Sequence, residues 1–492
     1  MDDIEVHPSS ERVPAPSATR PGGLLRNAVG LPAVLGQSLA NVGPTIAILF
    51  TTALVVSKAG ASAPFAIIFV MIGLGFTAWS VAVLTRYVPA AGVLYAAPAR
   101  AFGATAGVGI ALLLFLVYML ETAATALFSS GLISDFIASH TGVSVPWAVI
   151  FAALLAFYVL LAWFGIRDVL RFTLVFLAGE LTVILTLVIL IIVKGGVHGQ
   201  VPGAFTPSFS PGGAQGIALA FVFGIFALGG FESSAGTIEE SRRPRSFIPA
   251  AVLGAVLLGG LLFMISAYAM VIGYGTDHLA ALAGSANPMA PLGTEFIGGW
   301  YGALLALALI SATLGASLAS ATLAMRVVFS LGRDGIVPKA LGRAHPRYHS
   351  PYISAVAVGV ICYLAGLAFG LLWGVEGQYG ITGYLTGISL GLAYFIFNLA
   401  MVVFMWRRHR DEFSWLRHGG IGLIGAVLVG VGLYPSFVPF PIAPDNYMVF
   451  VLIVWLIAAA GVSLLLRIKN PAQLERVLSI AAGAEQSGEA TG

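Results

Sequence analysis

Charge is what this sequence has least of. Only 9% of its 492 residues are Asp, Glu, Lys or Arg, against roughly 25% in an ordinary soluble domain. So few ionisable groups cannot coat the several water-soluble domains that the length would otherwise allow. With 59% of the residues apolar, the solvent for most of the chain is lipid. Cysteine is nearly absent: the single Cys362 lies within an apolar run, which excludes both a disulfide framework and a CxxC metal site. Lysine numbers four, none in a phosphate-binding glycine loop, so direct use of ATP is not expected. All eight histidines fall in expected loops or tails, which argues against a buried metal centre or a histidine proton relay. The net charge of +3 comes without a clustered basic face, and no nucleic-acid partner is expected.

Long apolar runs fill the rest. A transmembrane helix needs about 20 mostly apolar residues, and twelve candidate spans satisfy this: 31–57, 64–84, 107–133, 147–164, 172–193 and 213–237, then 248–272, 300–329, 353–372, 379–406, 421–438 and 447–466. We number them 1 to 12. Placing the N-terminus inside puts 22 of the 24 basic residues on the cytoplasmic side and leaves only Lys58 and Lys194 outside, as the retention of positive charge in cytoplasmic loops requires. The fold class expected is therefore an all-α integral membrane protein of twelve transmembrane helices, in the cytoplasmic membrane, with both termini inside. Residues 1–30 lack the apolar core of a cleaved signal; they and residues 470–492 read as flexible cytoplasmic ends. The loops between spans are too short to hold an extramembrane domain.

Two spans are interrupted. In span 1 the run Ala40-Asn41-Val42-Gly43-Pro44-Thr45 places a helix-breaking proline at mid-depth. In span 6, Leu228-Gly229-Gly230-Phe231-Glu232-Ser233-Ser234 combines paired glycines with an ionisable group. Either alone reads as a packing kink, since Gly and Pro are common in membrane helices. Spans 1 and 6, however, open two successive sets of five, and matched interruptions in two halves point to a transporter site near the midplane. Half-helix N-termini there favour a carboxylate, and unwound carbonyls favour an ammonium or a cation.

Two motifs carry a resemblance. The first is Phe226-Ala-Leu-Gly-Gly-Phe-Glu232-Ser-Ser-Ala, followed by Glu239-Glu240-Ser-Arg-Arg-Pro244-Arg245 and Pro249; the second is Arg326, Gly332-Arg333-Asp334-Gly335 and Pro338 with His345-Pro346-Arg347 and Pro351. They resemble the span 6 break and the loop after span 8 of the amino acid–polyamine–organocation superfamily of permeases. The resemblance covers spans 1 to 10 and extends toward span 12. It implies the LeuT-type fold of two inverted five-helix repeats, here 31–193 and 213–406, with broken helices 1 and 6 and two further helices over 420–466. The span 1 break departs from the Gly-Ser-Gly pattern of many members; it is Gly43-Pro44-Thr45.

Of 21 acidic residues, only Glu121, Glu180 and Glu232 lie within spans, where an ionisable group costs about 2.5–3.5 kcal/mol on insertion scales and is a functional candidate by default. By resemblance, Glu180 takes a position where some members carry a lysine that stands in for a sodium ion between spans 1, 5 and 8. A carboxyl there can take up and release a proton, or ligate sodium with Ser317 or Ser320; a neutral acid hydrogen-bonded to another helix is the plain alternative. Glu232 is implied in gating or proton sensing, with unwound amides as partners, and a helix cap is its alternative. Tyr118 and Thr122, four residues apart on one face of span 3, match positions that line the substrate cavity. Glu121 is offset about 100° from Thr122, so a structural partner competes with substrate contact; facing the cavity, it would favour a cationic substrate. Phe226 matches an aromatic that covers bound substrate. Asn41, Gly43, Pro44, Thr45, Gly229, Gly230 and Ser320 complete the candidate substrate site, and Ser317 joins the coupling candidates.

The function expected is a secondary active transporter of amino acids or related amines, working by alternating access and coupled to protons. Obligate exchange and sodium symport are the alternatives within that fold, and a non-transporting sensor is the alternative outside the carrier class. No enzyme activity, cofactor or metal is expected, because no Gly-x-Ser-Gly nucleophile element and no intramembrane histidine base are present. A channel would need a continuous pore with repeated selectivity loops. The partners expected are the amine substrate and the bilayer, with the protein a monomer or a homodimer.

Overall fold

The structure, a computed structural model, describes residues 29–88, 93–164, 166–238, 241–348 and 350–470. The expected flexible ends, apart from residues 29–30 and Asn470, and the acidic pair Glu239-Glu240 lie outside the described residues. Within them the chain is helical; the only extended pairing is a single bridge between Val29 and Ser241.

Each of the twelve apolar runs falls on a helix. By length and composition alone, ten helical stretches among the described residues can cross a membrane. The first of these, Leu31–Tyr87, contains both span 1 and span 2, and span 4 appears as a shorter apolar helix, Trp147–Trp163. Spans 1 and 2 merge because only the short turn Gly60–Ser62 separates Thr52–Ala59 from Ala63–Tyr87. Other helices outrun their apolar runs: span 3 extends over Ala104–Thr141 and span 8 over Gly299–Arg333.

Burial separates central from peripheral spans. In the most apolar windows of spans 3 and 6, 83% of residues are buried within the protein, against 22% in span 12. Residues such as Ile453, Val454 and Ile457 of span 12 face outward, as a lipid-facing helix requires. Span 3 packs against spans 4, 8, 9, 10 and 12, and span 1 against spans 5, 7 and 8 and the second half of span 6. The broken helices therefore sit in the middle of the bundle.

Both interruptions form where glycine and proline placed them. The first helix of span 1, Leu31–Val42, ends at Gly43, whose φ of 56° and ψ of 56° are left-handed. A side chain there would be strained, and its Cβ would meet Ile46 Cγ2 at 2.9 Å. The chain restarts as Pro44–Ile46, widens into a π-helical turn over Ala47–Thr51 and returns to α-helix at Thr52. Pro44 suits the first position of a helix, where no amide partner exists. In span 6 the helix Gly213–Leu228 stops at Gly229, Gly230 turns through a φ of 87°, and a 3-10 segment, Phe231–Thr237, follows.

Candidate functional site

The two interruptions meet. A Cβ built on Gly230 would lie 2.0 Å from Asn41 Nδ2, so only a glycine lets the span 6 break close onto span 1. Below this point the halves are joined: Ser38 Oγ donates to the Phe231 carbonyl at 2.6 Å, Ser233 Oγ donates to the Gln37 carbonyl at 3.2 Å, and the Ser234 amide donates to Ser38 Oγ at 3.3 Å.

Glu232, fully buried, is held by two phenols. Tyr118 of span 3 donates to Oε1 at 2.8 Å and Tyr394 of span 10 donates to Oε2 at 2.7 Å. The Gly230 amide donates to the Tyr394 hydroxyl at 3.2 Å. The carboxyl thus ties the break to spans 3 and 10, and the amides expected as its partners share the position with tyrosines. Thr122 Oγ1 donates to the Tyr118 carbonyl at 2.7 Å, so its hydroxyl is spent within its own helix.

Glu121 and Glu180 occupy different surroundings. Ser320 of span 8 lies beside the Glu121 carboxyl, and its Oγ donates to Asn41 Oδ1 at 3.1 Å. Glu121 is thereby connected through Ser320 to the span 1 interruption. Glu180 lies between spans 1, 5 and 8, with Thr45 and Ser311 as neighbours. The serines expected beside it are elsewhere: Ser317 pairs with Tyr158 of span 4 and with the Thr313 carbonyl, and Ser320 belongs to Glu121. The reason is register, since at 1.5 Å per residue Ser317 lies about 9 Å along the helix from Ser311 and Ser320 about 13 Å.

Several polar atoms along span 1 have no hydrogen-bond partner: Gln37 Nε2, Asn41 Nδ2 and Thr45 Oγ1, each on a residue no more than 2% exposed. Thr45 Oγ1 approaches Glu180 without a hydrogen bond of full geometry. Buried polar groups are almost always paired with protein or water; Ser234 Oγ in the span 6 break and Thr386 Oγ1 and Ser389 Oγ on span 10 share this state, and what distinguishes the span 1 groups is that they flank its interruption. On the far side of the interruptions from the chain's N-terminus, four aromatic rings close over it. Phe50 and Phe128 lie 4.7 Å apart, each within 5.0 Å of Tyr379, and Phe226 joins at 5.3 Å from Tyr379.

The family model for amino acid permeases matches residues 31–459. The chain belongs to that family. Among its relatives, the low-affinity putrescine importer PlaP of Escherichia coli K12 is 25% identical, over 82% of this chain and 88% of its own length. The branched-chain amino acid permease BcaP of Bacillus subtilis is 24% identical, over 59% of this chain and 64% of its own length. A methylthioribose transporter of the same bacterium is 21% identical, over 45% of each chain. This permease is accordingly a multi-pass membrane protein of a transporter family, built on the LeuT-type superfamily pattern read from its motifs.

Sequence reading missed Tyr394, Ser311, Tyr158, Gln37 and the rings of Phe50, Phe128 and Tyr379. Only Gln37 carried a local signal: it is an amide in an apolar span, one turn before Asn41. A single Tyr, Ser or Phe in a membrane helix carries none.

Proposed function

We propose that this permease is a secondary active carrier of amino acids or related amines that works by alternating access, with the substrate seated where the interruptions of spans 1 and 6 meet. The observation that carries the reading is the row of unpartnered groups on Gln37, Asn41 and Thr45 beside a glycine break that closes onto Asn41. We read it as a protein of the cytoplasmic membrane with both ends inside, a reading supported by the 22 of 24 basic residues that then lie on the cytoplasmic side. On that orientation the rings of Phe50, Phe128, Tyr379 and Phe226 form the outer cover, and the joined N-terminal half of span 1 and 3-10 segment of span 6 form the inner one.

Coupling is to protons. An ionised carboxylate accepts hydrogen bonds only, whereas its protonated form must also donate. A proton at Glu232 therefore rearranges its links to Tyr118 and Tyr394, and one at Glu180 makes it a donor toward its neighbours Thr45 and Ser311, at the joint between spans 1, 5 and 8. In proteoliposomes loaded with a labelled amine panel, an inside-alkaline gradient is expected to drive accumulation by the wild type, and Glu180→Gln to lose accumulation while retaining exchange. Accumulation that is unchanged in the variant overturns the role of Glu180. Accumulation that follows a sodium gradient instead overturns proton coupling.

A further inference from the structure

Glu121 is partly buried on span 3, and the groups nearest its carboxyl, Ser320 and Glu232, are fully buried, so the carboxyl is turned toward the middle of the bundle. The groups that bear on it are Ser320 and the Glu232 carboxyl, and those that bear on Glu232 are Tyr118, Tyr394 and backbone amides; none is a cation. Two carboxyls thus lie near each other, and among the described residues no cation acts on either. A buried carboxylate without a cationic partner is costly, and at a transport site the missing cation can arrive on the substrate.

Ser320 says how that cation would be read. Its hydroxyl has one proton, which it donates to Asn41 Oδ1 at 3.1 Å, with the Glu121 carboxyl standing beside it as a second acceptor within turning distance. When Glu121 is ionised, the charged acceptor takes the proton, because charge-assisted hydrogen bonds are the stronger ones. Asn41 then gains by a half-turn of its amide, which lets Nδ2 donate to Ser320 Oγ. The same half-turn brings Oδ1 to the position against Gly230 where Nδ2 now stands unpartnered. A buried orphan donor is thereby exchanged for an acceptor beside the interruption, and the Glu121 carboxylate, with Ser320 donating to it, is the charge that an ammonium would meet.

We infer that Glu121, with Asn41 set by Ser320, is the residue that selects for an extended ammonium group, so that the permease takes net-cationic amines in preference to neutral amino acids. The inference rests on the carrier reading of this site. A diamine and a cationic amino acid share the ammonium, and differ in whether a carboxylate accompanies it.

Calorimetric binding to the purified full-length protein in nanodiscs tests this, with 1,4-diaminobutane, lysine and leucine as probes. Wild type is expected to bind one or both cationic probes at least about tenfold more tightly than leucine, the factor that about 1.4 kcal/mol represents. Diaminobutane against lysine reports whether a carboxylate is required. Glu121→Gln is expected to lose at least about tenfold in cation affinity with leucine unchanged, and Glu121→Asp to keep part of the preference. Should Glu121→Gln not fold, Ser320→Ala serves in its place: it leaves the carboxyl but frees the Asn41 amide, and a several-fold loss confined to the cationic probes is expected. Leucine preferred by wild type, or cation affinity unchanged in these variants, overturns the inference and leaves the carrier reading standing. Cation binding as expected without flux in proteoliposomes supports the inference and overturns the carrier reading. No saturable binding of any probe overturns both.

Discussion

The two helix interruptions are built alike and finished differently. Each turns on a glycine with positive φ, Gly43 in span 1 and Gly230 in span 6. At span 6 the carboxyl and the turning amide are satisfied, since Glu232 accepts from Tyr118 and Tyr394 and the Gly230 amide donates to Tyr394, and Ser234 Oγ alone of its side chains is left open. At span 1 the polar atoms of Gln37, Asn41 and Thr45 are left open. On the proposed reading the first is mainly a joint that the fold completes by itself, and the second is the seat. Removing a group from the first should therefore cost stability, and removing one from the second should cost binding.

The largest effect is expected at Glu232→Ala. It strands two buried phenols, at about 1–3 kcal/mol each, so the thermal midpoint in detergent should fall well below wild type and uptake should vanish. Glu232→Gln keeps one acceptor oxygen and should fall less. A variant Glu232→Ala as stable as wild type breaks the comparison at its satisfied end. Next come the glycines. Gly43→Ala and Gly230→Ala each force a side chain into a left-handed conformation, at about 1–2 kcal/mol. Gly230→Ala should lose more, because its Cβ would fall 2.0 Å from Asn41 Nδ2, whereas at Gly43 the nearest atom is a side-chain methyl at 2.9 Å. Equal midpoints for the two would remove the claim that the breaks close onto each other through Gly230. The smallest change in stability is expected at Asn41→Ala. It gives up one hydrogen bond to Ser320, of about 1 kcal/mol, together with an unpartnered donor, so unfolding should shift little while substrate affinity drops. A large fall in stability would show the seat to be structural.

The sequence disclosed what is local. Apolar runs located the helices, because crossing a membrane demands length and apolarity within one stretch, and Gly43, Pro44, Gly229 and Gly230 located the breaks, because chain geometry there depends on the residue itself. Glu121, Glu180 and Glu232 stood out through the scarcity of charge. Their partners did not. Tyr394 meets Glu232 from 162 residues away, and that meeting depends on how spans 6 and 10 rotate against each other, which no local pattern encodes. The same holds for Ser311, rather than Ser317 or Ser320, beside Glu180. All three serines lie on span 8, and which one faces span 5 is set by a sliding register between two apolar helices that composition leaves free.

The contacts beneath the site carry one more consequence. Val29 accepts from the Arg242 amide at 3.0 Å, and higher up Ser38 and Gln37 are bonded to Phe231, Ser233 and Ser234. The N-terminal half of span 1 and the 3-10 half of span 6 are thus stitched at both ends into a single lever, whose fulcrum is the glycine pair above it. Such a lever cannot open one helix at a time. On the proposed carrier reading, the pathway beneath the site would widen only when both halves swing together, and the bridge between Val29 and Ser241 would travel with them.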